Sequence, residues 1–254
     1  PNKGCAPFVV PFNNAGSSAS YFIWDFGDGS PIDTVTSPTH TYTAVGTYTV
    51  VLTAIDSLGV CEYRDTATLI ISVGNPPTLQ MAQTNPICFG DDNGTATVTA
   101  TGGLNPLTYL WTPGGQTSVT ATGLSAVTYT VLVTDSLGCS ADTTITITEP
   151  PAVIGSVVVF TNVTCNGEDD GTATATASGG TGTITYSWTT SPVQTGAMAN
   201  NLPAGTYSVT ISDANGCTIT LTVTITEPPP LVLSNVTTPS GCAVNNGTAT
   251  VSSS

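Results

Sequence analysis

The chain has 254 residues, and its 2 lysine and arginine residues against 16 aspartates and glutamates give a formal net charge of −14. So few basic groups exclude binding to nucleic acids or to anionic lipid head groups, because both need clustered positive charge. Charged residues make up only 7% of the chain and hydrophobic ones 39%, with 26 glycines and 18 prolines, which predicts an acidic all-β protein that folds. No apolar run approaches the roughly 18 residues of a membrane helix, so we expect no direct membrane insertion.

The sequence repeats itself with a period of about 77 residues. The segment Cys88–Gly103 is closely matched by Cys165–Gly180, Trp111 and Trp188 stand at equivalent places, and a further copy opens at Cys242. This period is too long for one rung of a solenoid and suits a small sandwich domain.

Proline-rich junctions at 75–77, 149–151 and 227–230 divide the chain into modules. They predict a first module at 1–74, two repeats at 75–150 and 151–228, and the start of a truncated third repeat at 229–254. Because proline fixes φ, we expect stiff spacers between the modules and a semi-rigid rod.

Apolar residues alternate with threonine or serine in several short stretches, as they do in half-buried β-strands. The clearest stretches are Thr95–Thr101, Thr128–Thr134, Thr143–Thr148, Thr206–Ser212 and Thr218–Thr226. Each complete module offers about six or seven such strands with a tryptophan between two cysteines, which is typical of an immunoglobulin-like sandwich. The predicted fold is therefore all-β, with tandem immunoglobulin-like β-sandwich modules.

The seven cysteines fall two to each complete module, with one left over. We therefore predict the intramodular disulfides Cys5–Cys61, Cys88–Cys139 and Cys165–Cys217, with the partner of Cys242 outside the given sequence. Zinc binding is the weaker reading, because such sites use closely spaced Cys and His pairs and the chain has one histidine. Disulfides in small domains indicate an oxidising, extracellular compartment.

Specific motifs resemble two known families. The segments Trp24–Ser30, Thr39–Tyr42 and Gly46–Asp56 resemble a PKD (polycystic kidney disease) domain. From residue 76 the chain is similar to SprB-type repeats of gliding-motility adhesins from Bacteroidota, through its Cys-x-Gly-x-x-Asp-Gly-Thr-Ala, Tyr-x-Trp, Asp-x-x-Gly-Cys and Ile-Thr-Glu-Pro motifs. Residues 124–129 depart from the family's Leu-Pro-Ala-Gly-Thr-Tyr turn by lacking its glycine. The resemblance implies a very long, secreted, cell-surface protein that is exported by the type IX route and used for attachment.

No constellation of catalytic residues is evident, so we expect neither an enzyme nor an organic cofactor. His40 lies in a Thr-His-Thr-Tyr segment and is expected to have a structural role. Asp25 and Asp28 flank a Phe-Gly turn, where aspartate side chains commonly cap backbone N–H groups.

Two loops concentrate carboxylates and are the candidate metal sites, since Ca²⁺ prefers several oxygen ligands. They contain Asp91 and Asp92, and Asp169 and Asp170. The alternative is a solvated turn, and the copy with Asn245 and Asn246 at this place favours that alternative.

Asp-Ser or Asp-Thr followed by an aliphatic residue or threonine resembles the O-glycosylation motif of Bacteroidota. The acceptors would be Thr34, Ser57, Thr66, Ser136 and Thr143. Threonine and serine richness alone also yields some of these matches.

The sequence favours a non-enzymatic stalk or filament segment of a large bacterial surface adhesin, for attachment or gliding. Its expected partners are further repeats of the same chain, like chains in a filament, and a surface polysaccharide or solid substrate. The alternative is a set of accessory modules in a secreted enzyme that degrades polysaccharide or protein. Ice binding by threonine arrays is disfavoured, because the Thr-x-Thr pairs recur on separate modules.

Overall fold

A computed structural model of the chain describes residues 1–14, 18–56, 63–238 and 248–253. These residues form β-strands, turns and loops, with no helix among them, and no described segment is a helix long and apolar enough to cross a membrane. By contacts, the chain forms two compact units, one of Pro1–Asn85 with Asp92–Thr148 and the other of Pro86–Asp91 with Glu149–Ser254.

The first 74 residues form a four-stranded sheet and a two-stranded sheet. The larger sheet has the order β1-β6-β5-β3, with β1 parallel to β6, and the smaller one pairs β2 with β4. The strands are β1 (Lys3–Cys5), β2 (Phe8–Pro11), β3 (Tyr21–Asp25), β4 (Thr39–Tyr42), β5 (Gly46–Asp56) and β6 (Tyr63–Gly74). Trp24, Tyr42 and Ile71 are among the buried side chains of this part.

The next part consists of two antiparallel three-stranded sheets, with the orders β10-β8-β7 and β12-β11-β9. Its strands are β7 (Thr78–Thr84), β8 (Gly94–Thr101), β9 (Thr108–Thr112), β10 (Thr120–Leu124), β11 (Thr128–Thr134) and β12 (Ser140–Thr146). The strand β12 ends before the predicted Thr148, because the Thr148 N–H leaves the ladder and donates to Asn85 Oδ1 at 3.2 Å.

The following part repeats this architecture with the sheet orders β13-β14-β16 and β15-β17-β18. Its strands are β13 (Ile154–Thr161), β14 (Gly171–Ser178), β15 (Thr185–Trp188), β16 (Met198–Leu202), β17 (Gly205–Ser212) and β18 (Thr218–Ile225). A last antiparallel pair joins β19 (Leu233–Thr238) to β20 (Thr248–Ser253). Every one of these sheets draws its strands from a single predicted module.

Alternation along the strands builds the cores. In β14 the alanines at 173 and 175 are buried and the threonines at 172 and 174 are half-buried, and in β8 Ala96 and Val98 alternate with half-buried threonines in the same way. Trp111 and Trp188 lie at the centre of the second and third cores, each 1% exposed. Their indole N–H groups donate to Ser118 O at 2.8 Å and Gly196 O at 2.9 Å, so the burial of these rings leaves no donor unpaired. The predicted core tryptophans are confirmed.

A tyrosine corner, a hallmark of immunoglobulin-like sandwiches, also recurs. The Tyr207 hydroxyl donates to Pro203 O at 3.0 Å, and Tyr48 does the same to Ala44 O at 2.9 Å. Tyr129, where the motif lacks its glycine, instead lies 3.4 Å from the Ser125 hydroxyl. The sheets, core tryptophans and corners together confirm all-β, immunoglobulin-like modules.

We expect Trp188→Ala to lower the free energy of unfolding by about 3–5 kcal/mol, because it removes the largest buried side chain of the third core and leaves a cavity. Urea unfolding followed by circular dichroism measures the loss. Phe160→Ala, which truncates a ring that is 52% exposed, is the matched control and should change the midpoint little. Equal midpoints for the two variants would contradict the prediction.

Candidate functional site: the cysteine loops

The described residues contain two disulfides, and neither has the predicted pairing. Cys5 is bonded to Cys139, and Cys88 to Cys217, each with a Cα–Cα distance of 5.5 Å. Cys165 is an exposed free cysteine. The predicted Cys88–Cys139 and Cys165–Cys217 pairs are therefore wrong, and so is Cys5–Cys61, because Cys5 is bonded elsewhere. Cys61 and Cys242 lie outside the described residues.

Strand length explains why the cysteines of one module do not pair. In the third module Cys217 directly precedes β18, whereas the Cys165 loop contacts Glu227, which follows the end of the same strand. Eight strand residues span about 26 Å, and a disulfide needs Cα atoms roughly 4.4–6.8 Å apart. The two cysteines thus lie at opposite ends of their module, unlike the core cysteines that bridge the sheets of an antibody domain.

The observed bonds instead join consecutive modules. In both cases the first cysteine of one module is bonded to the second cysteine of the next, with sequence separations of 134 and 129 residues. Each bond lies inside one compact unit, because residues 86–91 belong to the second unit together with the residues from 149 onward. In the chain-entropy model, closing a loop of this length stabilises the folded state by about 5 kcal/mol.

Each bond has one partner in an Asp-x-x-Gly-Cys loop whose aspartate is buried. Asp213, which is 6% exposed, accepts hydrogen bonds from the N–H groups of Thr181 at 2.8 Å, Asn215 at 2.9 Å and Cys217 at 2.8 Å. The hydrogen bond from Thr181, followed by those from Cys217 and Asn215, lowers the pKa of this carboxyl despite partial desolvation. The carboxylate therefore holds the loop that presents Cys217.

Asp135 repeats this arrangement around Cys139. Its carboxylate accepts hydrogen bonds from the backbone N–H groups of Leu104 at 3.0 Å, Leu137 at 2.9 Å and Cys139 at 2.8 Å. The aspartate of the Asp-x-x-Gly-Cys motif thus fixes the backbone of the cysteine loop in both repeats. It is a site residue that the sequence analysis missed. The signal for it was present, since an aspartate stands four residues before both cysteines.

The other partner of the second bond lies in a short turn that is fixed by a glutamate. The Asp91 N–H donates to Cys88 O at 3.3 Å, and the Gly90 N–H donates to Glu149 Oε2 at 2.6 Å. Gly90 has a φ of +79°, which side chains other than glycine rarely adopt. Around the disulfide lie Phe89, Val153 and Ile219, which line a partly apolar cleft.

The described residues show no metal-binding cluster of three or more His, Cys, Asp or Glu side chains. The Asp170 carboxylate accepts hydrogen bonds from the hydroxyl and the backbone N–H of Thr164, and these hydrogen bonds lower the pKa of Asp170. Calcium binding by Asp91, Asp92, Asp169 and Asp170 stays a prediction.

Of the glycosylation candidates, Thr34, Thr66 and Ser136 are exposed and Thr143 is half-buried, whereas Ser57 lies outside the described residues.

His40 is engaged in packing and hydrogen bonding. Its ring stacks on Phe26 with centroids 4.0 Å apart, and its Nε2 lies 2.8 Å from Asp28 Oδ2. Desolvation of Asp28 acts to raise its pKa, but hydrogen bonds from Ser30 and His40 outweigh it and lower the pKa to about 2. Burial raises the pKa of the neighbouring Tyr42, whose hydroxyl donates to Phe26 O, to about 12. The Asp25 and Asp28 carboxylates accept from the N–H groups two residues later, as predicted for turn caps.

Comparisons with known proteins agree with the motifs. Residues 3–71 match the PKD domain family, and residues 81–116 and 157–193 match the SprB repeat family. The chain therefore carries a PKD domain followed by SprB repeats. No curated protein matches the chain.

Solved structures of tandem immunoglobulin domains are distantly similar to this chain. The eight N-terminal Ig domains of Down Syndrome Cell Adhesion Molecule align over 89% of this chain and 35% of that one, at 14% identity and a TM-score of 0.43. Extracellular domains 3–5 of Drosophila OTK align over 89% of this chain and 93% of that one, at 13% identity and a TM-score of 0.31. The chain thus spans about a third of the length of the first of these structures.

We expect a peptic digest of the oxidised chain to yield peptides that join Cys5 to Cys139 and Cys88 to Cys217, identified by mass spectrometry. Pepsin is suitable because it works in acid, where exchange between thiols and disulfides is slow, and because trypsin has only Lys3 and Arg64 to cleave after. Cys165→Ser is the control and should leave both linkages intact. A peptide joining Cys88 to Cys139, or Cys165 to Cys217, would contradict the structure.

The lowered pKa of Asp213 makes the stability of its loop depend on pH. A depressed folded-state pKa adds stability above the unfolded-state value of about 4, and this contribution is lost as the pH falls below it. We therefore expect Asp213→Asn to lower the melting temperature at pH 7 and to approach the wild type as the pH is lowered towards 3. Asp142→Asn, at an exposed strand position, is the control. A gap between Asp213→Asn and the wild type that does not change with pH would refute the role of the charge.

Proposed function

We propose that this chain, which carries a PKD domain followed by SprB repeats, is a non-enzymatic segment of a long bacterial surface adhesin that carries tension along its length. The observation that supports this most directly is the pair of disulfides that join each module to the next. A bond to the neighbouring module stabilises the fold of any domain. A segment that is pulled from both ends gains something more, because the bonds also limit how far it can extend.

The two bonds interlock in sequence, and this shortens the covalent path between the ends. The bond from Cys5 to Cys139 encloses Cys88, and the bond from Cys88 to Cys217 encloses Cys139. The shortest covalent route from Pro1 to Ser254 therefore runs backwards from Cys139 to Cys88 and includes about 95 residues of the 254. At about 3.5 Å for each extended residue, that route reaches about 330 Å, whereas the reduced chain reaches about 890 Å.

The composition and the module types support an extracellular place of action. PKD domains and SprB repeats are structural modules, and disulfides persist in oxidising compartments. Lysine and arginine are nearly absent, so trypsin-like proteases have few sites to cut in an exposed fibre. We propose a cell-surface location, with attachment to a polysaccharide or solid substrate and a role in gliding as the finer part of the hypothesis.

Two modifications belong to the same proposal. O-glycans on the exposed Thr34, Thr66 and Ser136 would cover modules without reaching their cores. Calcium bound near Asp91 or Asp169 would neutralise part of the net charge of −14.

Single-molecule stretching between Pro1 and Ser254 tests the tension-carrying role. We expect the oxidised chain to reach a contour length of about 95 residues, against about 126 for Cys5→Ser and about 121 for Cys88→Ser, because each substitution lengthens the shortest covalent route. Full reduction should release all 254 residues. Cys165→Ser is the matched control, since it removes a thiol that forms neither bond.

Equal contour lengths for the oxidised and reduced chains would contradict the proposal.

The alternative function, accessory modules of a secreted degradative enzyme, would be favoured by a catalytic domain adjoining these modules in the same reading frame. Detachment of cells by antibodies against these modules would favour the adhesin.

A further inference from the structure

The free Cys165 occupies the position in its repeat that is disulfide-bonded in the preceding repeat. Cys88 stands about 77 residues earlier, opens the same sequence motif, and is bonded to Cys217. The first cysteine of the first module, Cys5, is likewise bonded one module ahead. Two consecutive bonds therefore follow one rule, and under that rule the partner of Cys165 is the second cysteine of the repeat after it.

The third module offers Cys165 no partner of its own. Its second cysteine, Cys217, is already bonded to Cys88. The strand β18 also separates the Cys165 loop from Cys217 by about 26 Å, which is far beyond disulfide reach.

The Cys165 loop has the same geometry as the bonded Cys88 loop. The Glu168 N–H donates to Cys165 O at 3.1 Å, as Asp91 does to Cys88 O at 3.3 Å. The Gly167 N–H donates to Glu227 Oε2 at 2.7 Å, with a φ of +83° at the glycine. Glu227 corresponds to Glu149, and both stand directly before the proline junction that leads to the next repeat. The loop is thus fixed beside the point at which the chain continues.

The bonded junctions show what the partner must contain. The Cys217 loop is held by the buried Asp213, and Asn215 adds a hydrogen bond of 3.4 Å from its side-chain nitrogen to Ile87 O, next to Cys88. At the other junction the Lys3 ammonium donates to Ser136 O in the loop of Cys139, at 3.3 Å. An Asp-x-x-Gly-Cys loop therefore brings both a positioned thiol and polar contacts to the cysteine loop that it meets.

We propose that Cys165 is a covalent docking site for the Asp-x-x-Gly-Cys loop of the repeat that follows it in sequence. The reaction oxidises two thiols to one disulfide, and an exchanging disulfide such as oxidised glutathione is reduced to two thiols in return. The inference rests on the pairing rule of the two observed bonds, and it stands whether or not the protein is an adhesin. Asn166 replaces Phe89 beside the cysteine, so this docking site is more polar than the preceding one.

A tandem duplication tests the proposal in the full chain. A copy of residues 151–228 inserted between Pro228 and Pro229 recreates the Glu-Pro-Pro junction and places a second Cys217 about 130 residues after Cys165, against 129 for the Cys88–Cys217 bond. The inserted copy carries Cys165→Ser, so that the chain retains a single Cys165. It also carries Thr218→Ser, which marks its Cys217 by mass.

After oxidation in a glutathione buffer, we expect the peptic map to contain Cys165 joined to the marked Cys217, with Cys88 still joined to the unmarked one. The matched control carries an inserted copy with Cys217→Ser, and Cys165 should then be alkylated to completion. Circular dichroism of this control shows whether the inserted repeat folds without the bond.

Three results would overturn the proposal when that control is folded. They are a Cys165 that stays fully alkylated in the marked chain, a bond from Cys165 to the unmarked Cys217, and a bond between the Cys165 residues of two chains. The third result would identify a dimer contact instead of a junction between consecutive repeats. None of these results alters the stretching prediction, which depends only on the two bonds already present.

Discussion

The structure depends on the length of its strands relative to the reach of a disulfide. In the third module β18 runs from Thr218 to Ile225, Cys217 directly precedes this strand, and the Cys165 loop contacts Glu227 beyond its other end. A disulfide spans about 5.5 Å between Cα atoms here, so it cannot connect these two places. Both observed bonds accordingly join cysteines of adjacent modules, and they set the covalent connectivity of the described part of the chain.

Small modules need such support because their cores are limited. A module of about 77 residues buries a smaller share of its surface than a large domain does. In the third module the core consists of one tryptophan, a few branched aliphatic residues and the small alanines 173, 175 and 199. Threonines cover much of the remaining strand surface, and pairs such as Thr161 and Thr172 are hydrogen-bonded across strands at 2.8 Å. Cross-links to neighbouring modules, through Cys217 in the third module and through Cys88 and Cys139 in the second, add stability that a larger core would otherwise supply.

Much of the fold was predictable because local sequence determines it. Period-two alternation located strands such as β11 and β17, and the tryptophans marked the cores. The disulfides were not predictable in this way, since the repeat offset between Cys88 and Cys165 nearly equals that between Cys139 and Cys217. Pairing within a module and pairing to the next module therefore fit the sequence equally well. The two pairings are distinguished by the three-dimensional structure, which shows that the cysteines of one module lie beyond opposite ends of a strand. The sequence alone does not reveal which loops lie at the same end of a module.

Glu149 and Glu227 impose a further condition on how such a chain can evolve. Each carboxylate holds the turn that follows a first cysteine, and each is followed at once by the prolines that lead into the next repeat. Inserting or deleting a residue within a strand between the glutamate and the next Asp-x-x-Gly-Cys loop would shift that strand by one position and turn its buried side chains outward. A turn tolerates such a change, since the turn at 112–115 is one residue shorter than the equivalent turn at 189–193. Adding or removing a whole repeat preserves the register at every junction. We therefore expect related chains to differ in the number of repeats far more than in the length of any one repeat, which is the pattern that recombination between similar gene segments produces.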